Sequence, residues 1–285
     1  MYNNIVVGYD GSEFSKAAFK EAALWVKKHG GKVYLVHAVY FDSEEFANLP
    51  AQLEKRFELG GKVCLEAKRA IQENVGIEAE SLVCEGEPPD VLIDISRGKS
   101  ADLIALGTYG RRGLKRLLMG SVTSQVILDA PCDVLVVKRP CSSCTGSYAS
   151  ILLPFDGSET SRKAMVRAIE LSKVDGSRIT VIYVIPRYEE MLEFFRTDAI
   201  KNSLRKEAEK VIKEAEKTAR DHGVSINTEI REGYPADEII RASENLKIDL
   251  IIMGTYGWRG VNKAIIGSTS NRVISLATCP ILVVR

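Results

Sequence analysis

The stretch "GTYGRRGLKRLLMGS" runs from Gly107 to Ser121, and "GTYGWRGVNKAIIGS" runs from Gly254 to Ser268. Both have the form Gly-x2-Gly-x9-Gly-Ser, while the nine residues between the second and third glycines differ. What the two stretches share is therefore a set of backbone positions. Each follows a short apolar run, "DLIAL" or "DLIIM", that reads as a buried strand. The final Gly-Ser reads as the start of a helix, whose first N–H groups have no intrahelical partner and carry the positive end of the dipole. Glycine allows the backbone to run close to a ligand and to take positive φ. A serine hydroxyl there adds a donor, and the combination suits phosphate. The same glycines would also serve as plain turns, but only the backbone positions persist while the arches change.

Working outward from these stretches, the whole chain repeats. "IVVGYDGSEFSKAAFKEAALWV" (5–26) matches "ILLPFDGSETSRKAMVRAIELS" (151–172), which pairs Asp10 with Asp156. "EGEPPDVLIDIS" (85–96) matches "EGYPADEIIRAS" (232–243), and "CDVLVVKR" (132–139) matches "CPILVVR" (279–285). The seam falls where composition turns to Ser, Gly and Cys, in "PCSSCTGSYAS". The expected organisation is a domain over 1–139, a linker over 140–148 and a second domain over 149–285.

Within each copy strands alternate with helices. "NIVVGY" is a strand, and Ser12 or Glu13 can cap a helix with Phe14, Ala17, Ala18, Ala22 and Trp25 on one stripe, ended by Gly30-Gly31. "KVYLVHAVY" is the second strand. A long helix follows, clearest in copy two at Leu204, Ala208, Val211, Ala215 and Ala219. Then come "IEAESLVC", a helix from about Pro89 to Arg97, the strand "DLIALG", a helix after Gly120 and the strand "DVLVVK". Near-continuously apolar strands indicate a parallel sheet covered on both faces, so each copy is an open, doubly wound α/β domain. Ligands bind such sheets at the carboxyl ends of the strands, where strand order reverses. Gly107 ends strand four and Gly120-Ser121 opens the next helix, which makes a mononucleotide site with phosphates held mostly by backbone amides.

Composition narrows the function classes. Of 285 residues, 45% are hydrophobic and 27% charged, and the formal net charge is +1. No global basic field draws in nucleic acid or an anionic membrane. No apolar run approaches the roughly 20 residues that span a bilayer, and the N-terminal stretch lacks the basic and apolar regions of a signal peptide. The expected compartment is the cytoplasm. Cys64, Cys84, Cys132 and Cys279 lie in apolar segments that read as helix or strand, where cysteine acts as a small hydrophobe. Cys141 and Cys144 form a single C-x-x-C in the linker, which reads as bland linker, a local disulfide or half of an intermolecular metal site.

The glycine pattern, together with "DGS" after strand one and "APC-x-VLVV" at the last strand, resembles the universal stress protein family, over essentially the whole chain as two tandem domains. The resemblance implies α/β architecture with two tandem doubly wound open sheets, each of five parallel strands in the order 3-2-1-4-5 with helices on both faces. Many members with this pattern bind ATP or another adenine nucleotide, so the resemblance implies ATP or AMP in each half. Carried over by position, Gly107, Gly110, Gly120 and Ser121, and equally Gly254, Gly257, Gly267 and Ser268, would contact ribose and phosphates. Asp10 and Asp156 would lie beside the ribose or a phosphate-bound Mg²⁺, and the backbone near Ala38 and Val184 would meet the adenine edge. Members commonly dimerise through strand five, which implies an intrachain pseudo-dimer through 133–138 and 280–284; a homodimer through other surfaces is a further expectation. This sequence departs from the pattern at Gly8 against Pro154 and Asp133 against Pro280, and at Tyr109 and Tyr256, where many relatives carry His. These changes are expected to tune packing.

Other motifs weigh less. "RGKS" (97–100) is a fragment of a Walker A loop, but Ile93 stands where that loop needs glycine. His29, His37 and His222 have no partner at metal-ligand spacing, and His37 reads as a strand residue near the crevice. Arg111, Arg112, Lys115 and Arg116 suit either phosphate or a solvated loop. Enzymatic phosphoryl transfer would need a group that positions the nucleophile, and no base recurs at one place in both copies. Glu13 and Glu159 are equally well explained as first-turn helix acids. The favoured reading is a nucleotide-binding regulatory protein acting as sensor or switch with an unidentified protein partner. A slow Mg-dependent ATPase is the alternative, and a nucleotide-independent scaffold comes third.

Overall fold

A computed structural model describes residues 2–40, 50–108, 119–138, 143–187, 198–256 and 266–285. The chain divides into two compact units, Met1–Ser147 and Tyr148–Arg285. Gly110, Gly257, Tyr109, Cys141 and nearly all of both arches lie outside the described residues.

In the first unit the order is β1 (Asn4–Gly8), α1 (Glu13–His29), β2 (Lys32–Val39), α2 (Pro50–Val75), β3 (Glu80–Glu85), α3 (Pro88–Gly98), β4 (Leu103–Gly107), α4 (Ser121–Asp129) and β5 (Asp133–Val137). Every strand pairing is parallel and the sheet order is β3-β2-β1-β4-β5. The second unit repeats it with β6 (Ser150–Pro154), α5 (Glu159–Asp175), β7 (Arg178–Pro186), α6 (Asp198–Asp221), β8 (Ile226–Gly233), α7 (Pro235–Asn245), β9 (Leu250–Gly254), α8 (Ser268–Leu276) and β10 (Ile281–Val284). Its order is β8-β7-β6-β9-β10, again parallel. Each unit is thus the expected 3-2-1-4-5 sheet. Right-handed crossovers place the helices following the first two strands on one face and those following the third and fourth on the other, in keeping with contacts between α1 and α2 and between α3 and α4.

The core sits where the sequence is most continuously apolar. Ile5, Val6, Val7, Ile104, Val134 and Val136 are sealed from solvent in the first unit, and Ile151, Leu152, Leu153, Ile251 and Val283 in the second. Edge strands β3 and β8 are only partly buried. The helix stripe on α1 comprises Ala17, Ala18, Phe19, Ala22, Ala23, Trp25 and Val26. Ser12 caps this helix by accepting from Ser15 N, and Gly30 ends it at φ 80°. Of the departures between copies, Asp133 accepts a buried hydrogen bond from the Tyr2 hydroxyl at 2.8 Å. Gly8 leaves room for Leu106, since a Cβ there would stand 2.5 Å from its Cδ2.

Local readings change with the structure at the cysteines before the last strands and at the linker. Cys132 and Cys279 lie in bends just before β5 and β10, outside any helix or strand, because the adjacent Pro131 and Pro280 bar continuation of strand pairing. Lys99 of "RGKS" ends α3, pairs with Glu80 at 2.7 Å and lies over the Tyr34 ring. The linker is docked on α1. Glu21, 1% exposed, accepts from Thr145 N at 3.2 Å and Gly146 N at 3.3 Å, and Cys144 Sγ donates to Ala17 O. Among the described residues no helix is long and apolar enough to cross a membrane.

Candidate functional site

The site forms where β1 and β4, adjacent in the sheet, run out into their loops. After β1 the chain turns through Asp10-Gly11-Ser12, with Gly11 at φ 81°. Asp10 Oδ1 accepts from Ser12 N at 2.9 Å, which fixes the carboxylate in a tight Asx turn. Ser12 Oγ then accepts from Ser15 N at 3.3 Å, so the first turn of α1 is capped by its own sequence. The second unit builds the same turn, with Ser158 N donating to Asp156 Oδ1 at 3.0 Å and Gly157 at φ 78°.

After β4 the arrangement is different in kind. Gly120 precedes α4 and Gly267 precedes α8, and neither helix has a side-chain cap. Gly120 N donates to Thr108 O at 3.3 Å and Gly267 N to Thr255 O at 2.9 Å, which anchors both helix starts to the ends of their strands. Thr123 Oγ1 donates to Gly107 O at 3.1 Å, and Ser270 Oγ to Gly254 O at 3.0 Å. These bonds fasten the motif's ends to each other. The first-turn N–H groups, with no side-chain acceptor and the helix dipole behind them, form the electropositive element of the site. Ser121 and Ser268 are exposed at these positions.

The first glycine of each motif has a packing reason that sequence alone does not supply. A Cβ on Gly107 would stand 2.6 Å from Phe14 C and 2.8 Å from Ser15 N, and one on Gly254 would stand 2.5 Å from Thr160 Cβ. Neither glycine has positive φ. Strand four ends directly beneath the first turn of the helix after strand one, and only glycine fits.

In the first unit these elements enclose a cavity of about 710 Å³, within the range of small-molecule sites. Asp10, Ala38, Gly107, Gly120 and Ser121 all line it. Asp156, Val184, Gly254, Gly267 and Ser268 occupy the matching strand ends and helix starts of the second unit. Sequence reasoning missed Arg56, Gly60 and Thr108, which also line the first cavity. Arg56 brings a guanidinium from α2 and donates to Tyr40 O at 2.8 Å. Gly60 looks like a weak helix position until its partner is seen: a Cβ there would meet the His37 ring at 2.7 Å. Thr108 is buried and donates to Val137 O. The expected helix acids are surface residues, Glu13 paired with Lys16 and Glu159 with Lys163, with both carboxylates mostly exposed. Among the described residues no group of three His, Cys, Asp or Glu side chains could hold a metal by itself.

A family model described as the universal stress protein family matches residues 1–138 and again 147–285. A universal stress protein of Methanocaldococcus jannaschii is 38% identical over 144 residues, covering 48% of this chain and 82% of that protein. One of Mycobacterium tuberculosis is 25% identical over 295 residues, covering 99% of this chain and 97% of its own. The crystal structure of a universal stress protein from Archaeoglobus fulgidus superposes with a TM-score of 0.76 at 23% identity, covering 99% of this chain and 96% of that one.

Proposed function

The chain belongs to the universal stress protein family, and on that premise we propose that each half is an adenine-nucleotide site, ATP or AMP, in a regulatory protein that binds without rapid turnover. The observation that carries the reading is the first-unit cavity, with the uncapped start of α4 on one wall and the Asp10 turn and the end of β2 on others. Phosphates would sit on the amides of Ser121, Val122 and Thr123, where a negative ligand satisfies donors that no side chain serves. The base would lie along the backbone at Ala38. The equivalent phosphate seat in the second half is the start of α8 at Ser268.

A Mg²⁺ ion fits only as part of a nucleotide complex. Asp10 and Asp156 offer one carboxylate each, and Mg²⁺ typically joins one or two carboxylates to substrate phosphates. Amides that hold phosphates in the ground state stabilise bound ATP and its transition state alike, which gives affinity without turnover. The bound nucleotide would alter the surface offered to a protein partner. The test is mass spectrometry of small molecules released on denaturing the purified chain, beside calorimetric titration with ATP. An adenine nucleotide in the released fraction, or saturable heat on titration, is expected. Absence of both release and binding would overturn the reading.

A further inference from the structure

The two halves carry the same motif but differ in the recess beside strand two. In the first, His37 Nδ1 lies 2.7 Å from Tyr9 O. A carbonyl only accepts, so this contact puts the proton on Nδ1. The ring lies against α2 at Gly60, where a Cβ would stand 2.7 Å from Cδ2 and 3.2 Å from Nε2. His37 and Gly60 share one space, and both line the cavity.

In the second half Tyr183 takes the strand position of His37. The buried stripe of α6, Ala208, Ile212, Ala215 and Ala219, has the same spacing as Gly60, Cys64, Ala67 and Ile71 on α2. Ala208 therefore stands where Gly60 stands, and both exchanges add atoms to the recess. Burial raises the Tyr183 phenol, and the carboxylates of Glu207 and Asp156 raise it further. The larger side chain is therefore held protonated. Thr160 Oγ1 also donates to Tyr256 O, a tie that Phe14, its counterpart in the first half, lacks the hydroxyl to make.

We propose that the two sites are unequal: the first half is the tight adenine-nucleotide site, and Tyr183 with Ala208 restricts the base seat of the second. This rests on the nucleotide reading above. The helix start at Gly267-Ser268 matches its counterpart, so the phosphate seat persists and the second half binds weakly.

The experiment is equilibrium dialysis of the full chain with Mg-ATP. One tight site per chain is expected, at least about tenfold stronger than the second. His37→Tyr with Gly60→Ala should weaken the tight site about tenfold or more. Tyr183→His with Ala208→Gly should create a second tight site, a gain that misfolding cannot produce. Two equal tight sites in the unaltered chain, or a tight site indifferent to the first exchange, would overturn the inference while leaving nucleotide binding intact. No ATP binding at all would remove both, and so marks failure of the underlying reading.

Discussion

Replacing Gly107 with alanine separates the two reasons for a glycine at the head of the motif. The added Cβ would meet three atoms of α1 at 2.6, 2.6 and 2.8 Å: Phe14 C, Phe14 Cβ and Ser15 N. Ordinary contacts of this kind begin near 3.4 Å, so several tenths of an ångström must be found on each. Two of the atoms are main chain and the third is fixed to it, so no rotamer change relieves the clash. Overpacking costs about 1–3 kcal/mol, and a rigid neighbour puts Gly107→Ala toward the upper end, about 2–3 kcal/mol. For a unit of this size that lowers the thermal midpoint by roughly 6–10 °C. Gly61→Ala is the control, because a Cβ there meets nothing within 4 Å. Inside α2 it should stabilise by about 1 kcal/mol. The assay is thermal unfolding followed by circular dichroism, with ATP affinity measured alongside. If Gly107→Ala melted like the unaltered chain yet lost ATP, the glycine would serve the ligand and the packing argument would fail.

Other expectations follow from the same geometry. Glu21→Ala removes the acceptor for two linker amides; at about 1.5–3 kcal/mol per charged hydrogen bond it should cost about 3–6 kcal/mol and speed thiol labelling of Cys144 in a Cys141→Ser background, and unchanged labelling would refute the clasp. Burial pushes the Cys64 thiol from 9.0 to about 11, with Lys68 opposing. The folded chain then keeps a proton that the unfolded chain releases, so stability should fall as pH rises from about 9 to 11; urea midpoints of Cys64→Ala should decline less over that range, and an identical slope would contradict the assignment. Glu13→Gln and Glu159→Gln should leave the single-turnover rate of bound ATP unchanged, as both carboxylates are engaged with surface lysines; loss of hydrolysis with either would make that residue part of an enzyme.

The parts of this molecule legible in sequence are those encoded locally. The strands are apolar runs, the repeats align by inspection, and Ser12 and Ser158 announce their helices within three residues of the bonds they make. Asp10, Gly107, Gly120 and Ser121 could be assigned to one crevice because strands one and four are neighbours in this topology. What stayed hidden depends on partners distant in sequence. Gly107 reads as a loop glycine until α1 is seen above it, and Gly60 as a helix defect until His37 fills its space. Glu21 looks like a surface acid and is buried because the linker folds back onto α1. Cys132 reads as part of a strand because it adjoins the apolar run Val134–Val137, whereas it follows Pro131 in a bend and the pairing of β5 starts only at Asp133.

Amide chemical-shift mapping of the full chain during titration with Mg-ATP shows where the phosphates sit. The largest saturable shifts should fall on the N–H groups of Ser121, Val122 and Thr123, at the start of the uncapped helix α4, with Asp10 and Ala38 next. Saturable ATP binding that left those three amides unmoved would place the phosphates elsewhere and contradict the account.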